Sequence, residues 1–279
     1  MKVITSVTQM HAVAQQYAKD GTLGFVPTMG YLHEGHGSLI ERAVQENDRA
    51  VVSVFVNPTQ FAPGEDLSSY PRDLEKDLAF CQSLGATAVF HPEPNEMYGP
   101  NFAAIVEVPS LTVNLCARAR PSHFKGVCTV VAKLFNIVAP TRAYFGLKDA
   151  QQFFILRRMV LDLNFPIELV GCPTVREADG LAMSSRNSYL SLTERKAAPI
   201  LHKALEEGRA LILAGEKKRA PIIDKIQRVL ATEPLVSLEY VELVETLGLR
   251  QTDEITGEVL CALAARIGTT RLIDNFIFS

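Results

Sequence analysis

The chain has 279 residues, of which 47% are hydrophobic, and its formal net charge is −3. This length and apolar content suffice for one large or two modest domains with a packed core. The mixed charges show no basic stripe of the kind that binds nucleic acid, and no apolar run approaches the ~20 residues of a membrane helix. The N-terminus has no secretory pattern, and five widely spaced cysteines predict reduced core thiols, so we expect a cytoplasmic protein without nucleic-acid or membrane partners.

From residue 1 to about 172 the sequence alternates short apolar runs with longer segments of helical periodicity. This alternation predicts an α/β fold with a doubly wound parallel sheet. The run Leu23–Val26 predicts a buried strand that ends at Pro27, because proline cannot extend a hydrogen-bonded ladder. Further strands are predicted at 49–56, 86–90, 142–145 and 167–170. Helices are predicted at 7–19, from residue 38, and at 72–84, 124–138 and 150–163, the last with Asp149 as its N-cap.

The last third of the chain has a different pattern. Two helices are predicted at 193–214 and 220–231. Three segments that alternate apolar and polar residues follow, and they predict antiparallel strands at 237–244, 259–267 and 270–276. We therefore expect a ligand-binding α/β domain over residues 1–175 and a smaller α+β domain over residues 176–279 that covers the site.

The segment between the strand at 23–26 and the helix that follows it carries three glycines and two histidines, His33 and His36. A strand, a glycine-bearing turn and a helix form the place where an open α/β sheet binds phosphate. Three interpretations of the histidines stay open: surface imidazoles on a capped turn, a metal site, or neutral imidazoles that donate to phosphate oxygens. The spacing is not that of a zinc-binding His-Glu-x-x-His helix, and the common glycine fingerprints for nucleotides are missing.

Four blocks of sequence carry a resemblance to a known family. Residues 27–36 resemble the His-x-Gly-His signature of nucleotidyltransferases as it occurs in pantothenate synthetases, the pantoate–β-alanine ligases. Residues 55–61, 146–152 and 176–187 match the second, third and fourth blocks of that family in the same order. The resemblance implies a Rossmann-like nucleotidyltransferase domain, a homodimer, and ATP-dependent condensation of (R)-pantoate with β-alanine. In that reaction a pantoyl adenylate forms with release of pyrophosphate, and β-alanine then displaces AMP to give pantothenate.

The same resemblance implies which residues act in catalysis and in ATP binding. His36, His33, Lys148 and Arg186 are the implied catalytic residues, and His36 either donates a proton or only stabilises charge on phosphate. The hydroxyls, backbone N–H groups and guanidinium of residues 183–186 suit a polyphosphate. The implied ATP-binding residues are Met29, Gly30, Tyr31, Leu32, His33, Glu34, Gly35, His36, Gly146, Leu147, Lys148, Asp149, Val175, Met183, Ser184, Ser185 and Arg186.

Two glutamines and one aspartate complete the implied site. Gln60 and Gln152 would bind pantoate, whose hydroxyls and carboxylate suit an amide that both donates and accepts, and Gln60 would also contact β-alanine. Asp77 would be a ligand of Mg2+, the cofactor that accompanies ATP. Two other functions stay open on the sequence alone. One is a nucleotidyltransferase that joins AMP or CMP to a phosphorylated acceptor, and the other is a nucleotide-sensing protein without turnover.

Overall fold

The computed structural model describes residues 1–279, and its strands form two separate sheets. The strands are β1 (Lys2–Ile4), β2 (Leu23–Thr28), β3 (Arg49–Val54), β4 (Ala88–Phe90), β5 (Arg142–Gly146), β6 (Glu168–Cys172), β7 (Val236–Glu245), β8 (Val259–Ile267) and β9 (Thr270–Phe278). The larger sheet has six strands, all parallel, in the order β1-β4-β3-β2-β5-β6. The smaller sheet is antiparallel, with three strands in the order β7-β8-β9. The predicted fold class is confirmed.

Ten helices cover the sheets, and most begin and end close to the predicted residues. The helices are α1 (Val7–Asp20), α2 (Glu34–Glu46), α3 (Leu74–Ser83), α4 (Pro94–Met97), α5 (Cys116–Ala119), α6 (His123–Val138), α7 (Ala150–Asp162), α8 (Leu192–Ala197), α9 (Ile200–Leu213) and α10 (Arg219–Leu230). Helix α6 is buried along most of its length and ends at Val138, with Ala139 as its C-cap, since Pro140 cannot continue it. No helix is both long enough and apolar enough to cross a bilayer.

Strand β2 differs from its prediction, because it continues through Pro27 to Thr28. Six residues of β2 pair with β3, whereas pairing with β5 stops at Phe25 opposite Ala143. Beyond Phe25 the missing N–H of Pro27 therefore has no ladder partner to lose on the β5 side. From β2 the chain proceeds toward one edge of the sheet through β3 and β4, and from β5 it proceeds toward the other edge through β6. The topological switch point therefore lies between β2 and β5.

Two further local predictions were only partly correct. The helix predicted at 193–214 is two helices, α8 and α9, because Pro199 lies at their junction and lacks a backbone N–H. Asp149 occupies the N-cap position of α7 as predicted, but its side chain makes no capping bond there. Residues Leu147–Asp149 instead form a separate 3-10 turn, which leaves the Asp149 carboxylate exposed beside the cleft described below.

The small sheet is buried on both faces, and the two faces belong to different cores. One face, with Leu260 and Ala264 of β8, packs into the core that contains α6, α7 and β5. The other face, with Cys261 and Leu263, packs against α8, α9 and α10. The expected domain boundary near residue 175 lies in the segment after β6. Residues before and after this boundary nevertheless bury apolar side chains in one common core. All five cysteines are free, and Cys116 alone among them is not fully buried.

This shared sheet predicts one cooperative unfolding transition. Leu260→Ala and Leu263→Ala each remove a fully buried side chain, one from each core, and each should cost about 2–5 kcal/mol of unfolding free energy. Because the sheet joins the cores, both variants should shift the whole transition, measured by far-UV circular dichroism and by calorimetry. Two separate transitions, of which each variant moves only one, would show that the units unfold independently.

Candidate active site

The candidate site is a cleft at the carboxyl ends of β2 and β5, where the two strands have separated. It has a volume of about 240 Å3 and adjoins a larger cavity of about 640 Å3 that extends to β7, β8 and β9. Side chains from both parts of the chain line the two cavities together. The lining residues shared by both are Arg120, His123, Lys148, Asp149, Gln152, Ser184 and Arg186. The predicted third and fourth sequence blocks therefore meet at this position.

Both histidines of the turn are held by backbone N–H groups. His33 is the N-cap of α2, and its Nδ1 accepts from the N–H of Gly35 at 3.1 Å. The Nδ1 of His36 accepts from the N–H of His33 at 3.3 Å, so the two imidazoles cap each other's backbone. Their ring centroids are 4.1 Å apart. A neutral imidazole that accepts at Nδ1 carries its proton on Nε2, so each ring is left with a donor for a ligand.

Electrostatics keep both rings neutral. Burial, with a contribution from the positive charge of Lys148, lowers the pKa of His33 to about 4. Burial lowers the pKa of His36 to about 3, with contributions from His33 and Lys148. Two adjacent imidazoles beside a lysine cannot all carry charge in a desolvated site. The interpretation of these residues as neutral hydrogen-bond donors therefore fits the geometry better than surface imidazoles or a metal site.

Asp77 on α3 holds the backbone of the turn that precedes His33 through two hydrogen bonds. Its Oδ2 accepts from the N–H of Tyr31 at 2.8 Å, and its Oδ1 accepts from the N–H of Leu32 at 2.7 Å. Tyr31 has a positive φ of 52°, and a β-carbon at Gly30 would lie 2.8 Å from the carboxylate. Asp77 is 2% exposed and does not line the cleft. The structure thus gives Asp77 a different position from that of a magnesium ligand, because the carboxylate is enclosed beneath the turn.

The two predicted cationic residues both line the cleft. Lys148 is half-buried, and its Nζ lies 3.6 Å from the Asp149 carboxylate. Arg186 follows Ser184, whose Oγ accepts from the Arg186 N–H at 3.3 Å, and its guanidinium pairs with Asp66 at 3.2 Å. A flexible ammonium and a planar guanidinium are thus placed at the sides of the cleft, where a polyphosphate would meet both.

Gln60 and Gln152 also line the cleft, but their surroundings differ. Gln60 is buried, with its Nε2 3.0 Å from the Met29 sulfur and its Oε1 accepting from Asn57 at 3.1 Å. Gln152 faces both cavities and has no hydrogen-bond partner in the protein. Its neighbour Gln151 is buried and holds the backbone of Cys116 and Asn114. Of the two consecutive glutamines, Gln152 is therefore the one that a ligand can reach.

Most of the ATP-binding residues implied by the resemblance line the cleft, and a few do not. Leu32 and Glu34 line a separate surface pocket on the outer side of the turn, and Gly30 is packed against Asp77. Tyr31 and Leu147 do not line the cleft either. The residues that line the cleft are Met29, His33, Gly35, His36, Gly146, Lys148, Asp149, Val175, Met183, Ser184, Ser185 and Arg186.

Sequence reasoning gave no role to Asn57 or His123. Asn57 donates to Gln60 and to the carbonyl of Gly126 at 3.2 Å, and it accepts from the Tyr98 hydroxyl at 2.7 Å. His123 Nδ1 donates to the Gln60 carbonyl at 3.0 Å, because a carbonyl can only accept. Asn57 stands in the second sequence block, just past β3, so its position was a usable signal. No local pattern marks His123.

Replacement of Asp77 by asparagine tests the two roles considered for this carboxylate. In Asp77→Asn one oxygen becomes an NH2 group that faces a backbone N–H, so the variant should lose thermal stability without any metal present. ATP binding, followed by calorimetric titration, should weaken because His33 and His36 are carried on the same turn. Asp73→Asn, at the exposed cap of α3, is the control. A normal melting temperature with a raised magnesium requirement would instead support metal ligation.

The low pKa values of His33 and His36 predict a stability that falls in acid. The unfolded chain takes up protons near pH 6.5, whereas these folded-state groups do so only near pH 4 and 3. Between these values the unfolded state holds more protons, so the free energy of unfolding decreases as the pH is lowered. His36→Asn should show a shallower decrease in urea titrations between about pH 7 and about pH 5, while the exposed control His11→Asn should follow the wild type. Equal slopes for His36→Asn and wild type would contradict a neutral His36.

Comparison with known proteins identifies the family of this chain. The chain matches the family described as pantoate-beta-alanine ligase over residues 2–277. It is 52% identical over 279 residues to the pantothenate synthetase of Ruminiclostridium cellulolyticum, covering 100% of this chain and 99% of that protein. Identity to the pantothenate synthetase of Clostridium acetobutylicum is also 52%, over 280 residues and the full length of both chains.

Solved structures give the same result. The crystal structure of pantothenate synthetase from Thermus thermophilus superimposes with a TM-score of 0.94 at 46% identity, covering 99% of each chain. The Francisella tularensis pantoate-beta-alanine ligase, crystallised with β-γ ATP and β-alanine, superimposes with a TM-score of 0.80 at 33% identity over 99% of this chain and 97% of that one. With the cleft, the four blocks and the whole length in agreement, this chain belongs to the pantoate-beta-alanine ligase family.

Proposed function

We propose that the cleft carries out both half-reactions of an ATP-dependent condensation of (R)-pantoate with β-alanine. In the first, a carboxylate oxygen of pantoate attacks the α-phosphorus of ATP, and the bond to the pyrophosphate leaving group breaks. In the second, the amino nitrogen of β-alanine attacks the carbonyl carbon of the pantoyl adenylate, AMP leaves, and the amine loses a proton. Family membership over the whole chain supports this reaction, as does the convergence of the four blocks on one cleft.

The proposed ATP subsite rests on one observation above all, the pair of neutral imidazoles with free Nε2–H donors. Donors that are fixed by backbone bonds need no reorganisation when charge builds on the phosphates, and this is the main requirement of phosphoryl-transfer catalysis. Lys148 and Arg186 would supply positive charge to the leaving pyrophosphate from the sides of the cleft. In this proposal His36 acts as a donor to phosphate oxygen, because its low pKa leaves it without a second proton to give.

Mg2+ is part of the proposal as the partner of ATP. The structure brings no cluster of three or more His, Cys, Asp and Glu side chains together. Mg2+ commonly keeps several waters and is held by substrate phosphates with one or two carboxylates, so such a cluster is not required. Asp149, whose carboxylate lines the cleft beside Lys148, is the side chain that we propose to hold the ion, which would supply further charge neutralisation at the phosphates.

Pantoate is proposed to lie between Gln60 and Gln152. Each amide can donate to the pantoate carboxylate and accept from a hydroxyl. Asn57 holds the Gln60 amide in one orientation, whereas Gln152 is free to turn toward the ligand. An arginine in these positions would stabilise the ground state of the attacking carboxylate, whereas a neutral amide orients it without that cost. Gln60 is also proposed to contact β-alanine in the second half-reaction.

The C-terminal part is proposed to cover the reaction. The segment with Ser184 and Arg186 belongs to it in sequence, and this segment forms one wall of the cleft. An acyl adenylate reacts with water, so a cover that excludes water protects the intermediate. We further propose a cytoplasmic homodimer. The segment with Phe102 and Ile105, 37% and 62% exposed, offers apolar surface to a second copy.

Exchange of labelled pyrophosphate into ATP tests the two-step reaction. With pantoate alone, the wild-type enzyme should catalyse exchange, because adenylation precedes the reaction with β-alanine. Addition of β-alanine should then release pantothenate and AMP in equal amounts. Exchange that requires β-alanine, or formation of ADP, would contradict the two steps. Activity only toward phosphorylated acceptors would favour the alternative nucleotidyltransferase.

The same assay locates pantoate. Gln152→Ala should raise the pantoate concentration needed for half-maximal exchange by about tenfold or more, since a buried ligand group loses its hydrogen-bond partner. The concentration of ATP needed should hardly change. The control is Gln227→Ala on the exposed face of α10, which lines neither cavity. An equal loss for both substrates would place Gln152 outside the pantoate subsite.

A further inference from the structure

Two consecutive residues of β9, Asp274 and Asn275, connect the C-terminal sheet to the loops that carry Lys148 and Arg186. Strand β9 lies at the edge of its sheet, and neighbouring side chains of a strand point to opposite faces. Both residues are polar and almost fully buried, at 3% and 8% exposure. Buried polar side chains are normally hydrogen-bonded, so the partners of these two residues show which parts of the chain they hold.

Asn275 reaches across to the 3-10 turn that carries Lys148. Its Nδ2 donates to the carbonyl oxygen of Leu147 at 3.0 Å and to that of Lys148 at 2.8 Å, so both amide hydrogens are used. The turn has no side-chain cap of its own, because the residue at its N-cap is Gly146. The backbone from which the Lys148 side chain extends is therefore fixed by a side chain from another part of the chain.

Asp274 holds the second loop from the opposite face of the same strand. Its carboxylate accepts from both terminal nitrogens of Arg176, at 2.7 and 2.9 Å. Arg176 in turn donates to the carbonyl of Gly180 at 3.0 Å and forms a β-bridge with Ala182. The segment with Arg186 begins directly after this small hairpin. Asp274 also accepts from the backbone N–H of Asn275 at 2.7 Å, which couples the two anchors.

We infer that Asn275 is a positioning residue that sets the turn carrying Lys148 in register with the loop carrying Arg186. This inference rests on the proposed function, in which both cations act on the phosphates of ATP. A lysine side chain is long and rotatable, so its catalytic placement depends on a fixed backbone. A displacement of about 1 Å in such a group can cost about 100-fold in rate. Asn275 lines the larger cavity but not the cleft, and in this inference it acts on the phosphates through the backbone of the turn that carries Lys148.

The alternative is that Asn275 only stabilises the fold. Asn275→Leu has nearly the same size but no donor, so the two carbonyl groups lose their partner. We expect the rate of pantoate-dependent pyrophosphate exchange to fall about tenfold or more, since a charged group is displaced from its transition-state position. The matched control is Ile277→Ala on the same face of β9, which removes packing from the shared core. Its melting temperature should fall as well, while its exchange rate at a temperature where it is folded stays within about twofold of wild type.

A double-mutant cycle separates positioning from stability. Lys148→Ala removes the lysine side chain that Asn275 is inferred to position, so adding Asn275→Leu to it should change the residual exchange rate by less than about twofold. If the double variant loses exchange rate by the product of the two single factors, the inference is wrong. It is also wrong if Asn275→Leu alone has a wild-type exchange rate. Asn275→Ser, which keeps one donor, should fall between wild type and Asn275→Leu. If neither Asn275 variant folds, Asn275 is a stability residue and the inference is wrong.

The outcomes also distinguish this inference from the proposed function. A wild-type enzyme without pantoate-dependent exchange would contradict the two-step reaction itself. A Lys148→Ala enzyme with a full exchange rate would contradict the proposed role of Lys148, and the role of Asn275 would fail with it. A strong Lys148→Ala effect that multiplies with Asn275→Leu would leave the proposed function intact and overturn only the positioning role.

Discussion

The separation of β2 from β5 is the constraint on which the site depends. The two strands pair at only two positions, whereas β2 and β3 pair at six. Beyond these two positions each strand runs into a turn, and the turns carry His33 and His36 on one side and Lys148 on the other. Because the crossovers leave the switch point in opposite directions, no connecting helix fills the gap. The fold thus opens a cleft between two strands without breaking the central sheet.

Charged partners inside the protein prepare the cleft for an anionic ligand. Arg186 is paired with Asp66, and Arg120 makes two bonds to Glu65 from the same loop. These carboxylates provide charged hydrogen-bond partners for two guanidinium groups that are only partly exposed to solvent. A polyphosphate that entered would exchange one set of oxygen partners for another, so the cost of desolvating the arginines is already met. The binding free energy of the polyphosphate then depends on the difference between the contacts that the arginines make with phosphate and those that they make with the carboxylates.

The sequence predicted those features that are encoded locally. The alternating elements, the glycine-bearing turn and the antiparallel C-terminal strands all follow from periodicity within short segments, and the four blocks identified most residues of the cleft. Partners distant in sequence escaped prediction. Asp77 is 45 residues from Leu32, and Asn275 is 127 residues from Lys148, and neither distance leaves a periodic signal. The prediction that the strand ends at Pro27 was wrong for a similar reason. The segment around Pro27 does not show which neighbouring strands pair with it.

The sheet of β7, β8 and β9 belongs to two cores at once, and this has a consequence for modularity. A domain joined by a linker can be exchanged for another or lost from a lineage without much effect on its neighbour. Here the removal of the last strands would strip apolar cover from α6 and α7 as well as from α8 to α10. Recombination that separates the C-terminal part from the six-stranded sheet is therefore expected to expose apolar surface in both cores.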